Sequence, residues 1–134
     1  MSPLHIPLVT TGEFSQKAFP VYIKADIQYK NTHHVIVAMI DSGATGNFVD
    51  KAMLDALHIP TETKEYPETV HAVDGKPLSS GPVTEHTVWL TMVCDDPPQK
   101  HYETIQFNVI NAPHYGFILG MPWLVLHNPV IEWV

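Results

Sequence analysis

Asp41 ends an unbroken apolar run, VIVAMI (Val35 to Ile40), and is followed at once by Ser42, Gly43 and Ala44. A carboxylate where a buried strand stops, on a turn whose glycine lets another backbone come close, is placed for acid–base chemistry. Standing alone, Asp-Ser-Gly would read as an ordinary turn or helix-cap aspartate. A second apolar strand, Tyr115 to Leu119, also runs into a glycine, Gly120, but brings no carboxylate of its own. Between the two lies VDGKPLSSGP, where Asp74-Gly75 is a strong short hairpin signal flanked by Val70, Ala72 and Leu78. By itself that dipeptide suits any surface hairpin.

Other residue types offer less. Of nine histidines only His33 and His34 are close in sequence, and neighbours on a strand point to opposite faces. No HExxH and no Cys/His spacing occurs, so no metal is expected. Cys94 stands beside Asp95-Asp96 with no evident base, and Ser42 has no nucleophile elbow around it. Trp123 and Trp133 read as core or interface aromatics.

The elements that must carry these residues are mostly β. Residues 1–18 show no period and read as an extended N-terminal arm, with the folded domain at 19–134. Ala18 to Lys30 alternates, with Val21, Ile23, Ala25, Ile27 and Tyr29 on one face, which predicts a half-buried strand. After the turn Asn31 to His34, VIVAMI reads as a strand buried on both faces. Asp50 to Ile59 is the best helix signal, with Asp50 as N-cap, Ala52, Met53, Ala56 and Leu57 as its apolar side, and Pro60 as the stop. Val83 to Val93 and Thr104 to Ile110 each alternate as strands, with a polar turn from Cys94 to Glu103 between them. Phe117 to Gly120 reads as a short apolar strand, MPWLVLH as a brief helix with Pro122 near its start, and PVIEWV as a last strand. The total is about eight short strands and two short helices, a mostly β fold.

Composition sets the outer bounds. A chain of 134 residues, 45% hydrophobic and 16% charged, is one globular domain with room for a real core. A formal net charge of -7 argues against nucleic acid as partner, and no apolar run spans a membrane. A single cysteine fits a reducing compartment, and the opening MSPLHIPLVTTGEF lacks the pattern of a signal peptide. The expectation is a cytoplasmic chain, cut from or part of a larger polyprotein.

Taken together, DSGA after an apolar strand, the hairpin VDGKPLSSGP and the late ILG before a short helix resemble the retropepsins, the dimeric aspartic proteases of retroviruses and LTR retrotransposons. HAVDGKPLSSGPV and ILGMPWLVLHNPVIEW look most like proteases of gypsy-type elements and their domesticated vertebrate descendants of the Sushi-ichi type. The resemblance covers roughly Phe19 to Val134. It implies a closed β-barrel with one or two short helices that works as a two-fold homodimer, needs no cofactor, and cuts an extended peptide or polyprotein.

Two carboxylates sharing one proton supply both the base and the acid of such hydrolysis, because like charges ~3 Å apart cannot both ionise; aspartic proteases are the type case. With one Asp-Ser-Gly in the chain, the second carboxylate must come from another copy. By the resemblance Asp41 is catalytic, Ser42 hydrogen-bonds across the dimer axis, and Gly43 leaves room for substrate and an amide for orienting the carboxylates. Ala44, Thr45, Leu119 and Gly120 would border the substrate from below. Ala72, Val73, Asp74 and Gly75 would belong to a flap that closes over the peptide. The last residues, Ile131 to Val134, are the candidate interface strand. Thr45-Gly46 departs from several viral enzymes, which carry acidic residues there, and Lys76-Pro77 should stiffen the flap. The leading expectation is thus an aspartic endopeptidase that processes a Gag-Pol-type polyprotein. The rival is a domesticated domain without turnover, kept for dimerisation or peptide binding.

Overall fold

The computed structural model describes residues 5–7, 21–72, 76–77, 81–113, 115–127 and 130–132, with the strands at 5–7, 71–72, 76–77 and 130–132 described by their backbone pairing alone. Within them the chain forms, in order, β1 (His5–Pro7), β2 (Val21–Tyr29), β3 (Thr32–Ile40), β4 (Phe48–Asp50), α1 (Lys51–Leu57), β5 (Thr61–Glu68), β6 (His71–Ala72) and β7 (Lys76–Pro77). There follow β8 (Val83–Thr87), β9 (Leu90–Asp96), β10 (Gln99–Ile105), β11 (Asn108–Ile110), β12 (Phe117–Leu119), α2 (Met121–His127) and β13 (Val130–Glu132). Nine strands make one curled, half-barrel sheet in the order β10-β9-β2-β3-β12-β4-β11-β8-β5. The mostly β architecture with two short helices is the one expected, and it is consistent with a retropepsin-like barrel. No described helix is long and apolar enough to cross a membrane.

The alternation of β2 does what its pattern requires. Ile23, Ala25 and Ile27 are buried, and they meet Leu90, Met92, Leu54, Phe117, Leu119 and Trp123 in the larger core. A second, smaller core of Met39, Ala44, Phe48, Val70, Val83, Ile110 and Ile118 lies on the other side of the central strands. Strand β12 sits between them: Phe117 and Leu119 face the larger core and Ile118 the smaller. Burial on both faces explains why Phe117-Ile118-Leu119 is continuously apolar rather than alternating.

Several expectations need correction. VIVAMI is not doubly buried along its length, since Val35 and Val37 are 61% and 46% exposed. Strand β12 pairs with β3 only from Ala38 to Ile40, so the outer face at Val35 and Val37 lies beyond the covered centre of the sheet. Helix α1 turns Leu54 inward, and Ala52, Met53 and Ala56 are exposed; two turns are too short for spacing to fix the face. Asp50 occupies the N-cap position without capping, because its buried Oδ1 accepts instead from the Ala112 amide at 2.8 Å. The stretch Val83 to Val93 divides at Val88-Trp89, and Thr104 to Ile110 divides at Gln106-Phe107. At the first break, Thr87 Oγ1 accepts from the Phe107 amide at 3.0 Å, linking the two corners. Residues 99–103, read as turn, belong to β10, and β5 was not foreseen: TETKEYPE is a polar edge strand with no apolar pattern to detect. β1 falls within the expected arm and pairs in parallel with β13.

Two outcomes follow from this burial. Ile27→Ala should cost about 2–5 kcal/mol, whereas Val37→Thr should stay within about 0.5 kcal/mol, both read by urea unfolding. Burial, reinforced by Glu103 and Asp95, pushes the Cys94 thiol from 9.0 up to about 12. The unfolded thiol ionises first, so this contribution is whole below pH 9 and is lost as pH rises from 9 to about 12. Cys94→Ala should therefore show a shallower alkaline decline in unfolding free energy than the wild type over that window.

Candidate active site

Strand β3 delivers Asp41, and β4 takes the chain back into the sheet after a loop through residues 42–47. Strand β12 lies between these two strands, parallel to β3 and antiparallel to β4, so the loop arches over the end of β12. The Asp41 amide donates to the Leu119 carbonyl at 2.9 Å, which fastens the start of the loop to β12. Inside the loop the Ala44 amide donates to the Asp41 carbonyl at 3.1 Å, and the Gly43 amide donates to Asp41 Oδ1 at 2.9 Å. The carboxylate is thereby oriented by its own turn. Ser42, Gly43 and Thr45 are exposed, while Asp41 is half-buried.

Gly120 holds the loop from below. A Cβ built on it would overlap the Gly46 carbonyl oxygen and stand 2.8 Å from the Ala44 oxygen and 3.0 Å from the Ala44 methyl. Backbone packed this closely leaves no room for a side chain. The contact is also hydrogen-bonded: the Gly120 amide donates to Asn47 Oδ1 at 3.0 Å and the Met121 amide to the Ala44 carbonyl at 2.9 Å. The Gly120 carbonyl then accepts from Trp123 and Leu124, both at 3.1 Å, so α2 begins on the residue that supports the loop.

Of the residues singled out in the sequence, Asp41, Ser42, Gly43 and Thr45 lie together on the loop. Ala44 is the buried residue of the same loop, and Leu119 and Gly120 lie buried beneath it. Ala72 is in β6, which pairs with β7 in a hairpin of register His71↔Pro77 and Ala72↔Lys76. Val70, just before β6, packs in the smaller core with Met39, Ala44 and Phe48, so the base of the hairpin shares neighbours with the loop. Val73, Asp74 and Gly75 lie outside the described residues, as does Trp133. Asn47, and the packing of the Gly46 carbonyl against Gly120, were not legible in the sequence. A polar residue in a glycine-rich loop gives no sign that its amide will reach across the chain to residue 120.

A second cluster was also missed. His101, Glu103 and His127 each offer one ligand atom within 4.8 Å of the others, a grouping that sequence spacing does not reveal. His33 is exposed and faces Asp26 at 3.4 Å. Cys94 is buried and protonated, as suits an inert thiol.

The Asp41 loop, the hairpin, Gly120 and α2 fall within one further finding. A family model described as the PEG10/RTL1 protease domain matches residues 37–134 of the chain.

The support of the loop can be tested apart from any activity. Gly120→Ala should destabilise by more than the roughly 1–3 kcal/mol usual for overpacking, because the obstacle is backbone. Asn47→Ala should cost about 1–3 kcal/mol by leaving the Gly120 amide unsatisfied. Chemical denaturation of the two variants measures both.

Proposed function

The chain belongs to the PEG10/RTL1 protease domain family, and on that premise we propose that it is an aspartic endopeptidase active as a homodimer, with Asp41 from each of two copies at its centre. The observation that carries the reading is the Asp41 loop itself. It holds a half-buried carboxylate against its own Gly43 amide at 2.9 Å and leaves Ser42 and Gly43 exposed at the tip, where a second copy can meet them.

In this reading the two Asp41 carboxylates hold one proton between them and a water beside it. The ionised member takes a proton from the water as its oxygen attacks the peptide carbonyl carbon. The protonated member gives its proton to the carbonyl oxygen, forming a neutral gem-diol. Collapse of the diol breaks the C–N bond, returns a proton to the dyad and sends another to the leaving amine. Ser42 ties the two loops together across the axis, and the Gly43 amides hold the carboxylates coplanar.

The substrate is an extended peptide pairing as a strand between the loops and the β6–β7 hairpins, which act as flaps. Thr45 and Ala72 to Gly75 border it, and Ala44, Leu119 and Gly120 shape the floor through the backbone. The terminal strands β1 and β13 supply the interface between copies. The natural substrate is a Gag-Pol-type polyprotein in the cytoplasm.

The purified protein should cleave the parent polyprotein and be blocked by a transition-state inhibitor of aspartic proteases. Asp41→Asn should reduce cleavage by roughly 10²–10⁴-fold or more. Undiminished cleavage by the Asn variant would overturn the assignment, and a dimeric wild type that cleaves nothing would favour the binding-module reading.

A further inference from the structure

His101 and Glu103 alternate along β10 and share its inner face with Ile105, while His127 closes the last turn of α2. Helix and strand meet at Glu103. His127 Nε2 lies 2.9 Å from Glu103 Oε2, and Trp123 Nε1 donates to Glu103 Oε1 at 2.9 Å. His101 Nε2 approaches Oε1 to 3.3 Å but makes no hydrogen bond there, and this buried nitrogen has no hydrogen-bond partner among the described residues. The imidazoles of His101 and His127 stand edge to face with centroids 4.9 Å apart. Two imidazole nitrogens thus converge on one carboxylate, and a lone hydrogen-bonded clamp leaves one of them unused.

We propose that His101, Glu103 and His127 form a binding site for a divalent cation of the zinc class, which staples α2 to β10. Ligand atoms bound to zinc at ~2.0–2.2 Å stand on the order of 3.3 Å apart in tetrahedral geometry. His127 Nε2 lies 2.9 Å from Oε2 and His101 Nε2 3.3 Å from Oε1, one on each oxygen of the carboxylate. One ligand atom from each of the three residues falls within 4.8 Å of the others, so small side-chain shifts bring the set to that spacing. Two imidazoles with one carboxylate favour zinc and its neighbours over magnesium or calcium, which take oxygen ligands. Trp123 Nε1 donates to Oε1 at 2.9 Å, an outer support that fixes the orientation of the carboxylate. His127 is buried, its side chain 5% exposed, whereas that of His101 is 22% exposed and gives the ion a way in from solvent. Water completes the coordination. The site lies at the far end of α2, the helix that follows Gly120, so its occupancy would stiffen the support of the Asp41 loop without entering the hydrolytic chemistry.

The test is titration of the whole chain with Zn²⁺ by calorimetry, and with Co²⁺ as a visible-absorption probe. The wild type should bind one saturable equivalent, show four-coordinate Co²⁺ bands, and melt at higher temperature with Zn²⁺ present. His101→Ala should weaken binding about tenfold or more and abolish the thermal shift, and His33→Ala should change neither. Should His101→Ala fail to fold, Glu103→Gln removes the ligand charge while keeping the shape. Absence of saturable binding or of the Co²⁺ bands in the wild type, or unchanged affinity in the folded variants, would overturn the proposal and leave a hydrogen-bonded clamp. Neither result bears on cleavage, which depends on Asp41.

Discussion

The contact between the backbone of Gly120 and the backbone of the Asp41 loop governs the middle of this molecule. Any Cβ at residue 120 would meet the carbonyl oxygens of Gly46 and Ala44, so the two segments can approach only because that side chain is missing. The approach lets the Gly120 amide reach Asn47 and the Met121 amide reach Ala44. Asp41 is therefore anchored on both sides, by its own strand and by the turn after β12. Precision of this kind is what a carboxylate needs if it is to share a proton with another at close range.

The rest of the fold makes that contact possible. β12 is threaded between β3 and β4 and is buried on both faces, Phe117 and Leu119 against one core and Ile118 against the other. A strand so enclosed is a rigid post, and the loop rests on its end. Helix α2 continues from the same post, tied to it through the Gly120 carbonyl, and is tied to Glu103 of β10 by Trp123 in its first turn and by His127 at its far end. The hairpin β6–β7 is rooted by Val70 in the smaller core, which also contains Ala44. Loop, hairpin base and helix start thus share neighbours.

What could be read in the sequence was whatever depends on one face or one turn. β2 is half-buried, so its alternation showed both its existence and its inner face. Asp41 and Gly120 stood out because each follows an apolar strand into a sharp turn, a pattern few other residues satisfy. Features set by partners remote in sequence were not legible. β5 is held by backbone pairing with β8 and carries mostly polar residues, so no periodicity marks it. α1 was found but its face was misassigned, because Leu54 is fixed by the core above it and not by a repeat. Asn47 and the His101, Glu103 and His127 cluster are made by contacts across distant segments, which neither composition nor spacing encodes. The dimer and the flap tip rest on resemblance and not on residue pattern.

In the proposed enzyme one active site needs two chains, each giving one Asp41. Calorimetric titration with a peptidic inhibitor carrying a hydroxyl isostere of the tetrahedral intermediate tests it most directly, at protein concentrations where sedimentation reports the dimer. The expected result is one inhibitor bound for every two chains, and no binding to Asp41→Asn. One inhibitor for every chain, or equal binding by the Asn variant, would contradict it.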